Sequence, residues 1–315
     1  MRRSGLLLAV VLMLGLAGGP ARAHIVSDRE VVILRGLPAG MLAGMSERPD
    51  SLGYVGANHG GWQHVEHQSS GLVGLMDACA RADSTGAEAA WSVIEAAMRH
   101  QRPGGDYEAA GAEAGARQLE RTAWWIAQLC RAEVAVMNSP LQDRFRWRVA
   151  LLLPKLRRSV DWLVAAGDEL FELHEGRPDL LLVDAEAYLL ADGIFHEPRM
   201  AELGQRSLAA GIQGQRKDGA FVAPASDLAA QARGLTGLME IATYFPMPSL
   251  DEAAKRGAEW LSRRLSRQAR DPSLPAGTWR EALLALAFQS GRANDGGLLG
   301  RAERLAIQSK SMARR

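Results

Sequence analysis

Apolar residues recur at intervals of three and four through nearly every segment after residue 70, whereas strict alternation over more than four residues is rare. The first pattern places apolar side chains along one face of a helix, and a half-buried strand would need the second. The chain is therefore predicted to be all-α. The helices expected from this pattern cover residues 64–82, 86–101, 116–138, 141–153, 155–166, 179–192, 198–215, 226–244, 250–267, 278–290 and 297–310.

Two places resist a simple helical assignment. Pro154 is expected to split or kink the region 141–166, because proline lacks the amide hydrogen and crowds the preceding turn. In the segment 24–57, the apolar run 31–34 fits either a short strand or the first turn of a helix. This segment is left unassigned.

A short motif occurs twice. Residues 101–107 and 215–221 share the order Gln-Arg-x-x-Gly-x-aromatic, and each copy lies between two amphipathic helical patterns. A convergent helix stop would explain the glycine alone. The shared glutamine, arginine and aromatic residue instead favour a structural repeat of helix, glycine turn and helix.

Repeated helical hairpins stack either into an open solenoid or into a closed or incomplete (α/α) toroid. The Gln-x-x-x-Gly-x-aromatic turn resembles those of toroids such as polysaccharide lyases and terpenoid cyclases, so the toroid is favoured. The chain has 315 residues, and no linker or change of composition divides it after residue 23. We expect residues 24–315 to form a single all-α domain.

The N-terminus has the order of a secretory signal peptide. Basic Arg2 and Arg3 precede an apolar run over 6–16 and a small-x-small cleavage site that ends at Ala23. Cleavage would place the protein in the periplasm or outside the cell, with His24 as its first residue. The run is too short for a bilayer anchor, and no later stretch reaches the roughly 20 residues of a membrane span.

Charge argues against one class of partner. The full chain has 37 basic and 36 acidic side chains, and removal of residues 1–23 leaves 34 basic against 36 acidic ones. Neither sign forms a block, so nucleic-acid binding is not expected.

The two cysteines, Cys79 and Cys130, lie in apolar helical patterns and are expected to be either buried thiols or one bridge between neighbouring helices.

The densest group of chemically useful residues is the segment 58–68, which holds three of the seven histidines: His59, His64 and His67. It precedes the first clear helix, whose N-terminal end favours an anion. Asn58 could donate a hydrogen bond to a carboxylate, His59 could accept a proton, and Trp62 could stack on a sugar ring. A solvated helix start with one packed tryptophan is the simpler alternative.

The order Asn58-His59-Gly60-x-Trp62 resembles the Asn-His-Gly-x-Trp tract of alginate-lyase-like polysaccharide lyases, which fold as (α/α) toroids. The turn 101–107 and an Arg-Thr tract at 121–122 follow in the same order as in those proteins, so the resemblance covers about residues 55–165. At Ala57 and Gln63 the family has an asparagine and a tyrosine, and its proton-donating tyrosine has no counterpart over 126–128.

The resemblance implies β-elimination on a uronate polymer, so that the partner is an acidic polysaccharide or another glycan and no cofactor is needed. It implies that Asn58 and Arg121 neutralise the C6 carboxylate and that His59 removes the C5 proton. Tyr107, on the first glycine turn, is the candidate acid for the leaving oxygen. Glycan-binding contacts are expected from Trp62, His64, His67, Gln101 and Asp227.

Three other functions fit parts of the sequence. Zinc could bind His59, His64 and His67, although their spacing matches neither common zinc-enzyme helix pattern. The chain could also be a non-catalytic helical-repeat protein that binds a glycan or another protein of the cell envelope. A carboxylate-based hydrolase could use the polar residues on and just after one predicted helix: Asp184, Glu186, Tyr188, Asp192, His196 and Glu197.

Overall fold

The computed structural model describes residues 28–38, 41–42, 46–109, 115–221, 228–268 and 276–312. The expected signal peptide, His24 and Asp227 lie outside these ranges. Within them the chain forms twelve α-helices and two 3-10 turns, Gly56–Asn58 and Val65–Gln68. The helices are α1 Arg29–Gly36, α2 Ser69–Ala80, α3 Ser84–Arg99, α4 Ala116–Met137, α5 Gln142–Ala165, α6 Gly167–Leu173, α7 Pro178–Phe195, α8 Pro198–Gln213, α9 Leu228–Tyr244, α10 Pro248–Gln268, α11 Ala276–Ala293 and α12 Gly296–Met312.

The all-α prediction is confirmed, since the described ranges hold no strand and only an isolated bridge between Gln101 and Tyr107. Three elements differ from expectation. Helix α1 occupies part of the unassigned segment, α6 falls in a predicted gap, and α5 continues through Pro154. Pro154 and Ala150, whose carbonyl loses its helical partner, are both exposed. Water can satisfy that carbonyl, so the helix is not divided there.

Five helices form an inner series in which each contacts the next: α2, α4, α7, α9 and α11. Each inner helix also packs against the helix that follows it closely in the chain, which gives the outer helices α3, α5, α8, α10 and α12. Helix α1 contacts both α2 and α11, so the series of contacts returns to its start. The fold is thus a set of helical hairpins that share one core.

Inner and outer helices differ in burial as this arrangement requires. In the inner helix α7 every residue over 181–191 is buried. The outer helix α10 buries one face, with residues such as Leu250, Ala254, Leu261 and Leu265 spaced by multiples of about 3.6. None of the described helices is both long and apolar enough to cross a membrane.

The two glycine turns share one structure, which confirms the predicted repeat. Gly105 and Gly219 have positive φ angles of 104° and 98°. In each turn the glycine amide donates to the carbonyl of the arginine three residues earlier, at 3.0 Å in both cases. The leading glutamine of each turn donates from Nε2 to a backbone carbonyl of the following outer helix, at 2.7 Å in the first copy and 2.9 Å in the second.

The repeat continues into the outer helices with a different spacing. Arg158 and Trp162 of α5 correspond to Arg256 and Trp260 of α10, because each arginine donates to the glutamine of its own turn, at 3.2 and 2.5 Å. The corresponding residues lie 98 positions apart, against 114 for the turns. The chain between the turn and the outer helix is shorter in the second copy, so the two parts of the repeat have different periods in the sequence.

The cysteine alternatives are resolved, since Cys79 and Cys130 are both buried free thiols. Burial raises the pKa of Cys79 to about 12 and that of Cys130 well above its ordinary value. Because the thiolate is the reactive form, both residues act as apolar packing groups.

Replacing either turn glycine by alanine is expected to destabilise the protein by about 3 kcal/mol or more, because a Cβ would meet the outer helix. That atom would lie 2.1 Å from the carbonyl oxygen of Arg158 in Gly105→Ala and 2.2 Å from that of Arg256 in Gly219→Ala. Gly176→Ala is the matched control, since Gly176 has a φ of 78° and open space around it. Urea unfolding should give a loss of only about 1 kcal/mol for the control. Equal losses in all three variants would contradict the close approach.

Candidate functional site

A cleft of about 300 Å³ opens between three inner helices and the segment 46–70. Helices α4, α9 and α11 supply its walls, so parts of the chain that are distant in sequence meet there. Trp124 is its aromatic wall. The polar residues that line it are Glu47, Glu66, His67, Ser69, Ser70, Gln128, Arg131, Arg233, Thr236, Arg280 and Glu281.

The segment beside the cleft is shaped by two fully buried amides, Asn58 and Gln68. Asn58 Oδ1 accepts from the backbone amides of Gln63 and His64 at 2.8 and 3.2 Å, and its Nδ2 donates to His64 O and to Gln68 Oε1 at 3.0 and 3.1 Å. Gln68 Nε2 donates to Gly53 O at 2.9 Å. These bonds satisfy buried polar groups and hold the second 3-10 turn, which carries Glu66 and His67.

His67 lies half-buried on the cleft wall, and its buried Nδ1 has no hydrogen-bond partner within the described ranges. Burial lowers the pKa of His67, the charge of Glu66 opposes this, and the charge of Arg121 adds to it. The imidazole is therefore neutral near neutral pH, and it holds a nitrogen that can accept a proton or a hydrogen bond.

Arg121 connects the two histidines of this turn to α4. Its Nη1 lies 3.0 Å from the ring nitrogens of His64, and the His64 ring meets His67 edge to face with centroids 5.4 Å apart. Two imidazoles and one guanidinium are thus gathered at one edge of the cleft.

Charges along the cleft are paired. Glu66 bridges two helices, with Oε2 3.4 Å from Arg121 Nε and Oε1 3.0 Å from Arg233 Nη1. Arg233 also faces Glu281 at 3.7 Å, and Arg280 pairs with Glu47. The guanidiniums of α4 and α9 therefore converge on a single carboxylate.

The floor of the cleft is a buried ionic cluster around Arg131. Its guanidinium pairs with Glu30 of α1 and, at 2.8 Å, with Glu240 of α9, and it lies 4.9 Å from the ring centroid of Phe288 of α11. Tyr244 donates to Glu30 Oε2 at 2.7 Å. One side chain of α4 therefore contacts three other elements of the core.

Acids outnumber bases in this cluster, and burial favours the protonated form of two of them. Burial raises the pKa of Glu186 to about 8, against the opposing charge of Arg131. Burial also raises the pKa of Glu240 well above its ordinary value. Glu186 accepts from Gln128 Nε2 at 3.4 Å, and Gln128 lines the cleft.

The four residues expected to catalyse do not meet in one place. The Asn58 side chain makes its four hydrogen bonds within its own segment, so it is a positioning residue. His59 is exposed and does not line the cleft. Tyr107 is buried, where its hydroxyl accepts from Trp125 Nε1 at 3.0 Å and from Ser159 Oγ at 3.1 Å, and burial raises its pKa to about 12. Of the four side chains, that of Arg121 alone pairs with a residue that lines the cleft, Glu66.

The expected glycan-binding residues also divide. His67 lines the cleft, and His64 packs behind it against His67 and Arg121. Trp62 instead stacks on His100, with centroids 4.0 Å apart, and donates to Glu108 O at 2.9 Å. Gln101 anchors the first turn to α5. The position of Asp227 falls outside the described ranges.

Two acidic residues of the hydrolase alternative, Asp184 and Glu186, are buried and make structural contacts. Asp184 is buried against His174, 2.6 Å from Nδ1, and His174 Nε2 faces Glu120 at 3.5 Å. Burial opposes the charged form of His174, but these two carboxyl groups outweigh it and raise its pKa to about 9. The carboxyl group of Glu186 belongs to the Arg131 cluster, and Tyr188 donates to Leu163 O at 3.1 Å.

The zinc alternative finds little geometric support. In the part of the chain that the structure describes, no group of three His, Cys, Asp or Glu side chains is placed to hold a metal ion. His59 is exposed and does not line the cleft, whereas His67 lines it and His64 contacts the His67 ring.

Sequence reasoning missed Gln68 as a positioning residue and Arg131, Glu30 and Glu240 as the floor. A usable signal existed for the floor, because Arg131 and Glu240 interrupt otherwise apolar helices, and a charge in such a place must be paired. The sequence offered no means of choosing its partners.

Comparisons with protein-family models, with curated proteins and with solved structures give no match to this chain.

Asn58→Ala is expected to destabilise the protein by about 2 kcal/mol, because it removes four hydrogen bonds of the segment and leaves part of the Gln68 amide unpaired. Gln63→Ala is the control, since that side chain is exposed in the same segment. Its effect on urea unfolding should stay within about 0.5 kcal/mol. An Asn58→Ala protein as stable as the wild type would show that other contacts hold the turn.

The free energy of unfolding is expected to fall as pH rises from 6 to 8. Glu186 titrates near pH 8 in the folded protein against an ordinary value of 4.5, so in this range the folded state holds a proton that the unfolded state has lost. His174 acts in the same direction between 6.5 and about 9. Urea unfolding at three pH values gives the change in the free energy of unfolding with pH. This change should be smaller in Glu186→Gln, while Glu169→Gln, at an exposed site, serves as the control and should keep the wild-type pH dependence. An unchanged slope in Glu186→Gln would remove this carboxyl from the explanation.

Proposed function

We propose that this protein is exported, binds an acidic glycan in the cleft and cleaves it by β-elimination at a uronate residue. The observation that carries the proposal is the imidazole of His67, which lines the cleft beside Arg121 and whose pKa is lowered by burial. A base for the C5 proton and a cation for the C6 carboxylate are the two groups that this reaction needs first.

The base in this proposal is His67 rather than His59, because His67 borders the cleft and His59 does not. Arg121 and Arg233 neutralise the uronate carboxylate. They already converge on the carboxylate of Glu66 at 3.4 and 3.0 Å, and an entering carboxylate of the same chemistry exchanges with it.

The proposed reaction balances within the cleft. His67 takes the C5 proton, the electron pair of that bond forms the C4–C5 double bond, and the C4–oxygen bond breaks. The leaving oxygen needs a proton, and protonated His67 can return it when both groups lie on one face of the sugar ring. This route replaces the role expected of Tyr107.

We also propose that the helical hairpins form an (α/α) toroid in which α1 completes the inner ring. The order of helix contacts and the return of that order through α1 support this arrangement. The cleft then lies at one mouth of the ring, where a polymer can enter from the loop side.

A second candidate is binding without catalysis. The burial of Tyr107 favours it, because the tyrosine expected to act as the acid is not available to a ligand. In this case the same cleft holds a glycan and no bond is broken.

Incubation with a polyuronate should yield an unsaturated product that absorbs ultraviolet light, because elimination leaves a C4–C5 double bond. His67→Ala should abolish this product, and Arg121→Ala should slow its formation by about 10²–10³-fold, the scale for loss of one donor to a developing anion. His59→Ala is the matched control and should retain activity.

The outcomes separate the candidates. Loss of activity in His59→Ala with full activity in His67→Ala would return the base to His59. Glycan binding with neither unsaturated nor new reducing ends would leave the non-catalytic candidate. Inactivation by a chelator would support the zinc alternative, since a histidine-based lyase needs no metal.

A further inference from the structure

A second cavity, of about 280 Å³, lies on the outer surface where the second glycine turn meets α10. It shares no residue with the central cleft. Four guanidiniums and one tryptophan line it: Arg216, Arg263, Arg264, Arg267 and Trp260. The remaining lining residues are Asp218 and Ala220.

Positive charge is in excess at this cavity. Asp218 pairs with Arg216 at 3.3 Å, and Glu259 lies 3.9 Å from Arg263. Within the ranges that the structure describes, Arg264 and Arg267 have no acidic partner, and the Nε of Arg264 is buried without a hydrogen bond. Guanidiniums bind carboxylate, sulfate and phosphate groups through paired hydrogen bonds, so the cavity suits an anion.

The first repeat shows that the fold does not require these arginines. The register that pairs Trp162 with Trp260 places Ala165, the last residue of α5, at the position of Arg263, and both residues are exposed. Helix α5 ends there, so it has no counterpart of Arg264 and Arg267, which lie within α10. The first hairpin therefore forms without any of the three arginines.

Trp260 indicates which class of anion the cavity suits. Its half-buried ring forms part of the cavity wall, next to the guanidiniums. A flat apolar face beside cationic donors matches a sugar ring that carries an acidic group, whereas a bare inorganic anion would use the guanidiniums alone.

We propose that this cavity is a binding site for an acidic saccharide, separate from the central cleft. It holds one uronate unit, with the carboxylate on Arg263, Arg264 and Arg267 and the sugar ring on Trp260. The ligand class is that of the proposed function, but the site does not depend on catalysis in the cleft. Its role is to hold a polymer on the outer surface of the protein.

The test uses the whole expected mature chain, residues 24–315, with the His67→Ala change, so that the ligand is not cleaved. A galacturonate hexasaccharide is titrated by calorimetry, and hydrogen–deuterium exchange locates the bound ligand. We expect protection over residues 214–221 and 257–268. Arg263→Ala/Arg267→Ala should weaken binding there by about tenfold or more, the scale for losing two charged contacts at a partly exposed site.

Arg146→Ala/Arg199→Ala is the control, because it removes the same charge at exposed ion pairs elsewhere. It should change binding by no more than roughly twofold, since distant surface charges are screened. A neutral glucose hexasaccharide should not protect these residues, and inorganic sulfate should bind more weakly than the uronate.

Three results would overturn the proposal. Protection confined to cleft residues 64–70 and 119–131 would place the saccharide in the cleft alone. Equal weakening in both arginine pairs would reduce the effect to overall charge. Sulfate that binds as tightly as the hexasaccharide would show a site with no recognition of the sugar. Failure of the ultraviolet assay alone would leave this site standing, because the binding test does not require turnover.

Discussion

The buried guanidinium of Arg131 is the contact on which the arrangement of the helices most depends. Moving such a group out of water costs several kcal/mol, and the cost is offset only where carboxylates meet it in good geometry. Here Glu30 and Glu240 lie against it, from helices α1 and α9, which are far apart in the sequence. Helix α1 has eight residues and could not be stable alone. Its carboxylate in the core explains why it packs between α2 and α11.

The cleft follows from the same cluster. Arg131 and Gln128 form its floor, and the residues above them belong to helices that the cluster keeps together. Its rim is held by a different device, the Asn58–Gln68 pair, which positions a 3-10 turn and the imidazole on it. Floor and rim are thus organised by different side chains, and His67 is the imidazole that the rim places on the cleft wall.

Comparison of the two repeats shows which residues form the shared turn and which residues differ between the copies. Both turns place a glycine with positive φ against the backbone of an outer helix, and both use a glutamine to anchor that contact. The residues around this shared frame differ. The aromatic residue is Tyr107 in one copy and Phe221 in the other, and both are buried, which indicates packing as the common role. Arg263, Arg264 and Arg267 of α10 occur in one copy only.

The sequence by itself determined the helical class, the positions of most helices and the glycine turns, because helical periodicity and the φ freedom of glycine are local properties of the chain. It also located the segment 58–68 as the richest in chemistry. Only the tertiary structure decided which of its side chains border a cleft. The ion pair between Glu66 and Arg233 joins residues 167 positions apart, and that between Glu30 and Arg131 joins residues 101 apart. Such pairs depend on how helices pack, and burial of Tyr107 or exposure of His59 is likewise set by neighbours that no local pattern specifies.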